Sequence, residues 1–106
     1  MPKYLAKVTF TPEGLKGVRA AGAASRVESG HAVAASLGGT LESYYFAFGD
    51  HDVYAILDLP DDEAATAASF PGNESGAIKV TITKLLTAEQ VDAALARTVD
   101  YAPPGQ

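Results

Sequence analysis

The sequence predicts an α+β fold in two layers, with helices on one side of a four-stranded antiparallel sheet. Three observations lead there. Four stretches alternate in polarity or are rich in aromatic and β-branched residues. Two of these are separated only by Gly49-Asp50, a pair suited to a two-residue hairpin turn. Helix-start signals fall in the intervals that remain, at Thr11-Pro12-Glu13, Pro60-Asp61-Asp62-Glu63 and Thr87-Ala88-Glu89-Gln90. With 106 residues, 47% apolar and 20% charged, the chain has material for one modest core and none for a second. Residues 1–98 are read as a single domain and 99–106, which hold Pro103-Pro104-Gly105, as a flexible tail.

In chain order, Lys3 to Phe10 sets Tyr4, Ala6, Val8 and Phe10 against Lys3, Leu5, Lys7 and Thr9, the period of a half-buried strand. Thr11 then offers an N-cap, Pro12 a first helical residue without an amide to lose, and Glu13 a negative charge at the positive helix end. The helix is expected to kink near Gly22, resume through Val27, Ala34 and Leu37, and stop at Gly38-Gly39. Thr40 to Phe48 and His51 to Leu59 form the hairpin. A turn at Gly49-Asp50 sets Phe48 opposite His51, Phe46 opposite Val53 and Tyr44 opposite Ala55. The helix begun at Pro60 is expected to be short, ended near Phe70 by Pro71-Gly72, with PGNESG as a loop. Ala77 to Leu86 alternates again, and a capping box at Thr87 and Gln90 opens a last helix through Val91 and Leu95. This order, βαββαβ plus a C-terminal helix, is the ferredoxin-like arrangement, with three helices shielding one side of the sheet.

The alternation sorts the strands into two faces. Tyr4, Ala6, Val8, Phe10, Tyr44, Phe46, Phe48, Val53, Ala55, Leu57, Ile78, Val80 and Ile82 are expected to form the core beneath the helices. The opposite face carries Leu5, Lys7, Thr9, Tyr45, Asp52, Tyr54, Ile56, Lys79 and Thr81, less polar than a solvated surface and wetter than a core. Two such sheets mating across a two-fold axis would bury Tyr45, Tyr54 and Ile56 and leave Lys7, Lys79 and Asp52 around an interior hollow. The alternative is an ordinary wet face on which Lys7 and Lys79 pair with Asp52 and Asp58.

Composition removes several functions. A net charge of −5 repels polyphosphate and acidic bilayers, so neither nucleic acid nor membrane is an expected partner. The absence of cysteine removes disulfides, thiolate metal sites and thiol nucleophiles. MPKYLAKVTF is interrupted by lysines and lacks the apolar run of a signal peptide, which suggests a cytoplasmic protein. No P-loop, dinucleotide fingerprint, nucleophile elbow or HExxH motif is present, and no cofactor is expected.

The stretches FTPEG (Phe10 to Gly14), SLGG (Ser36 to Gly39), LESYYFAFGDHD (Leu41 to Asp52), SGAI (Ser75 to Ile78) and LLTAEQV (Leu85 to Val91) together resemble the GYD domain family. That family is grouped with the dimeric α/β-barrel proteins, so the resemblance implies a ferredoxin-like subunit pairing sheet to sheet as a homodimer, with higher homo-oligomers allowed. It carries no catalytic residues. The chain departs from the family pattern at His51, where members typically have Tyr or Phe, and at Phe70-Pro71-Gly72-Asn73, where their second helix is typically longer.

His51 between Asp50 and Asp52 suggests a metal site, but strand neighbours point to opposite faces and cannot easily converge on one ion. A turn explains the same residues. His31 lies at the edge of the long helix's apolar stripe as a packing residue, and Arg26 reads as a surface or interface ion pair with Glu28 nearby. Two functions stay open, beside a third possibility in which the hollow is filled and the protein serves only as an oligomeric building block. One is a dimer that binds a small, partly aromatic or anionic molecule through Lys7, Tyr45, His51, Asp52, Tyr54 and Lys79. The other is a cofactor-independent oxygenase or isomerase in which Asp52, His51 or Tyr54 moves a proton.

Overall fold

The computed structural model describes residues 1–106 and has the α+β, ferredoxin-like architecture. The elements are β1 (Lys3–Phe10), α1 (Pro12–Ala21), α2 (Ala24–Ser36), β2 (Thr40–Phe46), β3 (Val53–Asp58), α3 (Asp62–Ser75), β4 (Ile78–Leu85) and α4 (Ala88–Leu95). The strands form one sheet in the order β2-β3-β1-β4, antiparallel throughout. Strand β1 lies inside the sheet, and its alternation is realised residue by residue: Tyr4, Ala6, Val8 and Phe10 are buried, and the residues between them are not.

Local chemistry sets the helix ends. Thr11 accepts the Gly14 amide at 3.2 Å and donates its hydroxyl to the Gly76 carbonyl at 2.8 Å, so one side chain caps α1 and ties it to the start of β4. The approach there is so close that a Cβ on Gly14 would collide with the Ala77 carbonyl oxygen. The expected kink is a full break: Gly22 has φ 91°, and two separate helices result. The capping box at Thr87 and Gln90 is present as expected.

Four expectations are corrected. The hairpin pairs Phe46 with Val53 and Tyr44 with Ala55 as expected, but β2 ends at Phe46 and the turn is wider than two residues. Ala47 donates to the Asp52 carbonyl at 2.9 Å, and the left-handed residue is Phe48, at φ 55°, instead of Gly49. The reason lies in Asp52, whose carboxylate accepts the Phe10 amide at 2.8 Å while its own amide donates to Val8 at 2.8 Å. A side chain thus takes the place of the next strand residue, and the hairpin tip peels away with Phe48 60% exposed instead of in the core.

The second correction is that α3 runs through Pro71 to Ser75 and is not short. Pro71 removes one amide, but the last turn is held from outside. Asn73 donates its side-chain amide to Ser69 at 2.8 Å and to the Val80 carbonyl at 3.1 Å, and accepts the Val80 amide at 2.8 Å. Gly76, at φ 76°, then ends the helix in the left-handed conformation.

Third, the core gains residues the alternation did not name: Leu59, Ala34 and Ala65 are buried, while Tyr44, Phe46, Ile78, Val80 and Ile82 pack around the core only partly covered. Fourth, α4 buries no residue, and Val91 and Leu95 stay exposed. The radius of gyration is 16.9 Å, against about 13 Å for a compact domain of 100 residues. So α4 and the tail extend away from the body, and the sheet is shielded by α1, α2 and α3.

Gly14→Ala is expected to destabilise the protein by about 1–3 kcal/mol, because the added methyl meets backbone that cannot move aside. Gly17→Ala, three residues on in the same helix and with nothing within 4 Å of the added carbon, is expected to stabilise it by up to about 1 kcal/mol. Urea denaturation of the two variants measures both.

Candidate functional site

The layers do not meet over the middle of the sheet. Helix α3 packs over the edge strand β4 and α2 over the opposite edge strand β2, while α1 bridges loosely above β1. Between them lies a cavity of about 510 Å³, within the roughly 300–1,000 Å³ of small-molecule sites. Its floor is made by inward residues of β1 and β3, among them Ala6, Val8, Ala55 and Leu57. The small side chains Ala6 and Ala55, paired across the two strands, leave the floor low. Glycine keeps the walls thin as well, with Gly30 of α2 against Leu41 and Tyr44, and Gly72 of α3 against Ile78 and Val80.

Most of the lining is apolar, and the exceptions are few. Arg26, in the first turn of α2, reaches the cavity beside Tyr44 of β2. Its Nε is buried and makes no hydrogen bond. The three ion pairs of the chain join Lys3 to Glu42 and Asp58, and Lys84 to Asp62, so Arg26 takes part in none and the expected pairing with Glu28 is absent. Burial pushes the Tyr44 phenol above its ordinary pKa, with the neighbouring Arg26 charge acting in the other direction. The sequence contained a signal for Arg26. It stands four residues before Gly30 and seven before Val33, on the stripe that faces the sheet, where a cation is out of place.

The residues singled out from the sequence gather on the other face. The register sets Tyr45 opposite Tyr54, Tyr54 opposite Lys7 and Lys7 opposite Thr81, one continuous row across all four strands. Lys79 lies opposite Thr9, whose hydroxyl is 3.4 Å from Nδ1 of His51, and the His51 ring stands edge-on to Tyr54 at 5.8 Å. Asp52 differs from the others because its carboxylate is taken by the Phe10 amide. Lys7 and Lys79 form no ion pair, and Asp58 is bound to Lys3. The wet-face pairing of those lysines with Asp52 and Asp58 is therefore not formed. No group of three or more His, Asp or Glu side chains is placed to hold a metal ion, His51 with its two aspartates included.

A second polar cluster ties α3 to the sheet. Tyr4 donates its phenol to Asp62 at 2.6 Å, and Lys84 reaches the same carboxylate at 3.0 Å. The bond to Asp62, then burial, raises the Tyr4 phenol to about 12 from 10.0, while the bond from Tyr4, then Lys84, lowers Asp62. A phenol whose folded pKa is raised adds stability that is complete below its unfolded pKa and is lost as pH rises through the folded value. The stability difference between wild type and Tyr4→Phe is therefore expected to be level at neutral pH and to shrink between pH 10 and about 12. Absorbance titration is expected to show one phenolate transition near 12 that Tyr4→Phe removes.

No helix of the protein is long and apolar enough to cross a membrane. No curated protein and no solved structure matches the chain. A family model does: the GYD domain matches residues 4–95, from the second residue of β1 to the last of α4. The chain belongs to the GYD domain family.

Proposed function

We propose that this GYD domain protein is an oligomeric small-molecule-binding protein, which takes a largely apolar molecule between its helices and its sheet and pairs with a second copy through the open sheet face. The observation that carries the binding reading is the cavity of about 510 Å³ over the centre of the sheet. The space is half open, so its mainly apolar lining faces solvent and forfeits the contacts that a packed interior would make. At about 30 Å³ for the volume share of one water, the space holds on the order of fifteen non-hydrogen atoms. Binding would return the lost contacts without moving the sheet.

The pairing reading rests on the opposite face. Tyr45 is 72% exposed at one end of the Tyr45-Tyr54-Lys7-Thr81 row, with Leu5 and Ile56 paired in the next row. Apposition of two such faces would cover the aromatic end of each row and hold the unpaired Lys7, with Lys79 and His51, around a space between the sheets. Those residues, with Tyr45, Asp52 and Tyr54, form the second place at which a small molecule would be held.

Two measurements test the proposal. Native mass spectrometry of freshly purified protein, followed by thermal-shift screening, is expected to find a bound or stabilising small molecule. Ala68→Phe, which places a ring in the cavity from α3, is expected to abolish that effect while retaining the fold. Full retention of binding by Ala68→Phe would move the ligand out of this cavity. Sedimentation equilibrium is expected to give twice the 10.9 kDa chain mass, and Ile56→Asp is expected to give the monomer. A wild-type monomer at micromolar concentration would remove the pairing.

A further inference from the structure

The chemistry of the occupant follows from which polar groups the cavity holds and where they stand; this step rests on the binding reading above. Three facts bear on it. Arg26 is the one cationic residue among the lining residues, and it has no carboxylate partner. Its Nε is out of contact with solvent and without an acceptor. The residue as a whole is half-buried, and a guanidinium always carries its charge, so the closed-off Nε cannot be relieved by losing a proton as a lysine can. Tyr44, beside it, is a phenol, which is protonated at neutral pH and able to donate. Arg26 and Tyr44 therefore stand together at one end of the lining, with Ser25 and Ser29 on the same helix as Arg26, and Nε of Arg26 has no acceptor in the protein.

The one acidic lining residue, Glu13, stands elsewhere. It occupies the first turn of α1, whereas Arg26 follows the end of that helix. Eight residues of helix separate Glu13 from Ala21, about 12 Å at 1.5 Å per residue. The cavity thus has a cationic end, a long apolar floor and an acidic opposite end. We infer that its ligand is an organic monoacid, with a carboxylate held by Arg26 and Tyr44 and an apolar aliphatic or aromatic body lying over Ala6, Val8 and Ala55. The planar fork of arginine matches the two oxygens of a carboxylate. A second carboxylate at the far end would meet Glu13, so dianions are disfavoured.

Arg26 in the empty protein is then a group kept at a cost to stability. Replacing a half-buried arginine whose Nε has no acceptor with an apolar side chain of similar length is then expected to stabilise the empty protein. An arginine that merely supports the fold would behave in the opposite way.

The test is calorimetric titration of the full chain with octanoate, octanamide, hydrocinnamate, hydrocinnamamide and suberate, each at up to millimolar concentration. Each acid is expected to bind at least tenfold more tightly than its amide, and suberate more weakly than octanoate. Arg26→Gln is expected to bring the acids down to the level of the amides and leave the amides unchanged, while Arg26→Lys retains part of the preference. Arg26→Met is expected to raise the melting temperature of the unliganded protein and to lose the acid preference. It serves as the folding control should Arg26→Gln prove unstable. Equal binding of acids and amides, or an acid preference that survives in Arg26→Met, would overturn the monoacid assignment and leave the cavity reading standing. No binding of any of the five compounds, with Ala68→Phe indistinguishable from wild type, would end both.

Discussion

The constraint on which the rest depends is that the helices are fastened at the edges of the sheet and not over its middle. Helix α2 lies over β2 through Gly30, and α3 lies over β4 through Gly72 and the side chain of Asn73. The inner strands β1 and β3 are held from the side by ladders of backbone hydrogen bonds, which are indifferent to what stands above them. Small residues at Ala6 and Ala55 can therefore leave a space without loosening the sheet. The break at Gly22 belongs to the same design, because a single unbroken helix from Pro12 to Ser36 could not lie over β2 and also bridge to the start of β4.

The polar groups divide along the same line. Those that hold the fold are satisfied within it: Thr11 with Gly14 and Gly76, Tyr4 with Asp62, Asp52 with Phe10, Lys3 with Glu42 and Asp58. Those around the two open spaces are not. Arg26 at the cavity and Lys7 and Lys79 on the bare face carry charge without a counter-ion from the same chain. An unmet buried donor is uncommon in a folded protein, and the Nε of Arg26 is one, whereas Lys7 is half-buried and Lys79 open to water.

Much of the fold was legible in the residues because each signal was local. Alternation in β1 and β4, the caps at Thr11 and Thr87, and the pairing of Phe46 with Val53 all depend on neighbours in sequence or on one turn. What escaped depends on distant partners. Pro71 would end an isolated helix, yet α3 continues because Asn73 finds the Val80 backbone. Gly49-Asp50 would make a tight turn, yet the Asp52 carboxylate reaches across to Phe10 and displaces the positive dihedral to Phe48. The extra residue Glu42, bulged where the register shifts between Leu41 and Ser43, similarly answers to Lys3. The site was half legible. The row of Tyr45, Tyr54 and Lys7 followed from alternation, whereas the role of Arg26 needed the gap between two helices, which no periodicity reports.

The attachment of Asn73 to β4 also governs how copies of this chain can associate. Its amide presents an N–H and a carbonyl to Val80 much as a neighbouring strand would, and so occupies the outward groups of the third residue of that edge strand. Exposed strand edges are the usual templates for runaway strand addition. A strand added along the first half of β4 would therefore have to displace Asn73 from Val80, and with it the last turn of α3.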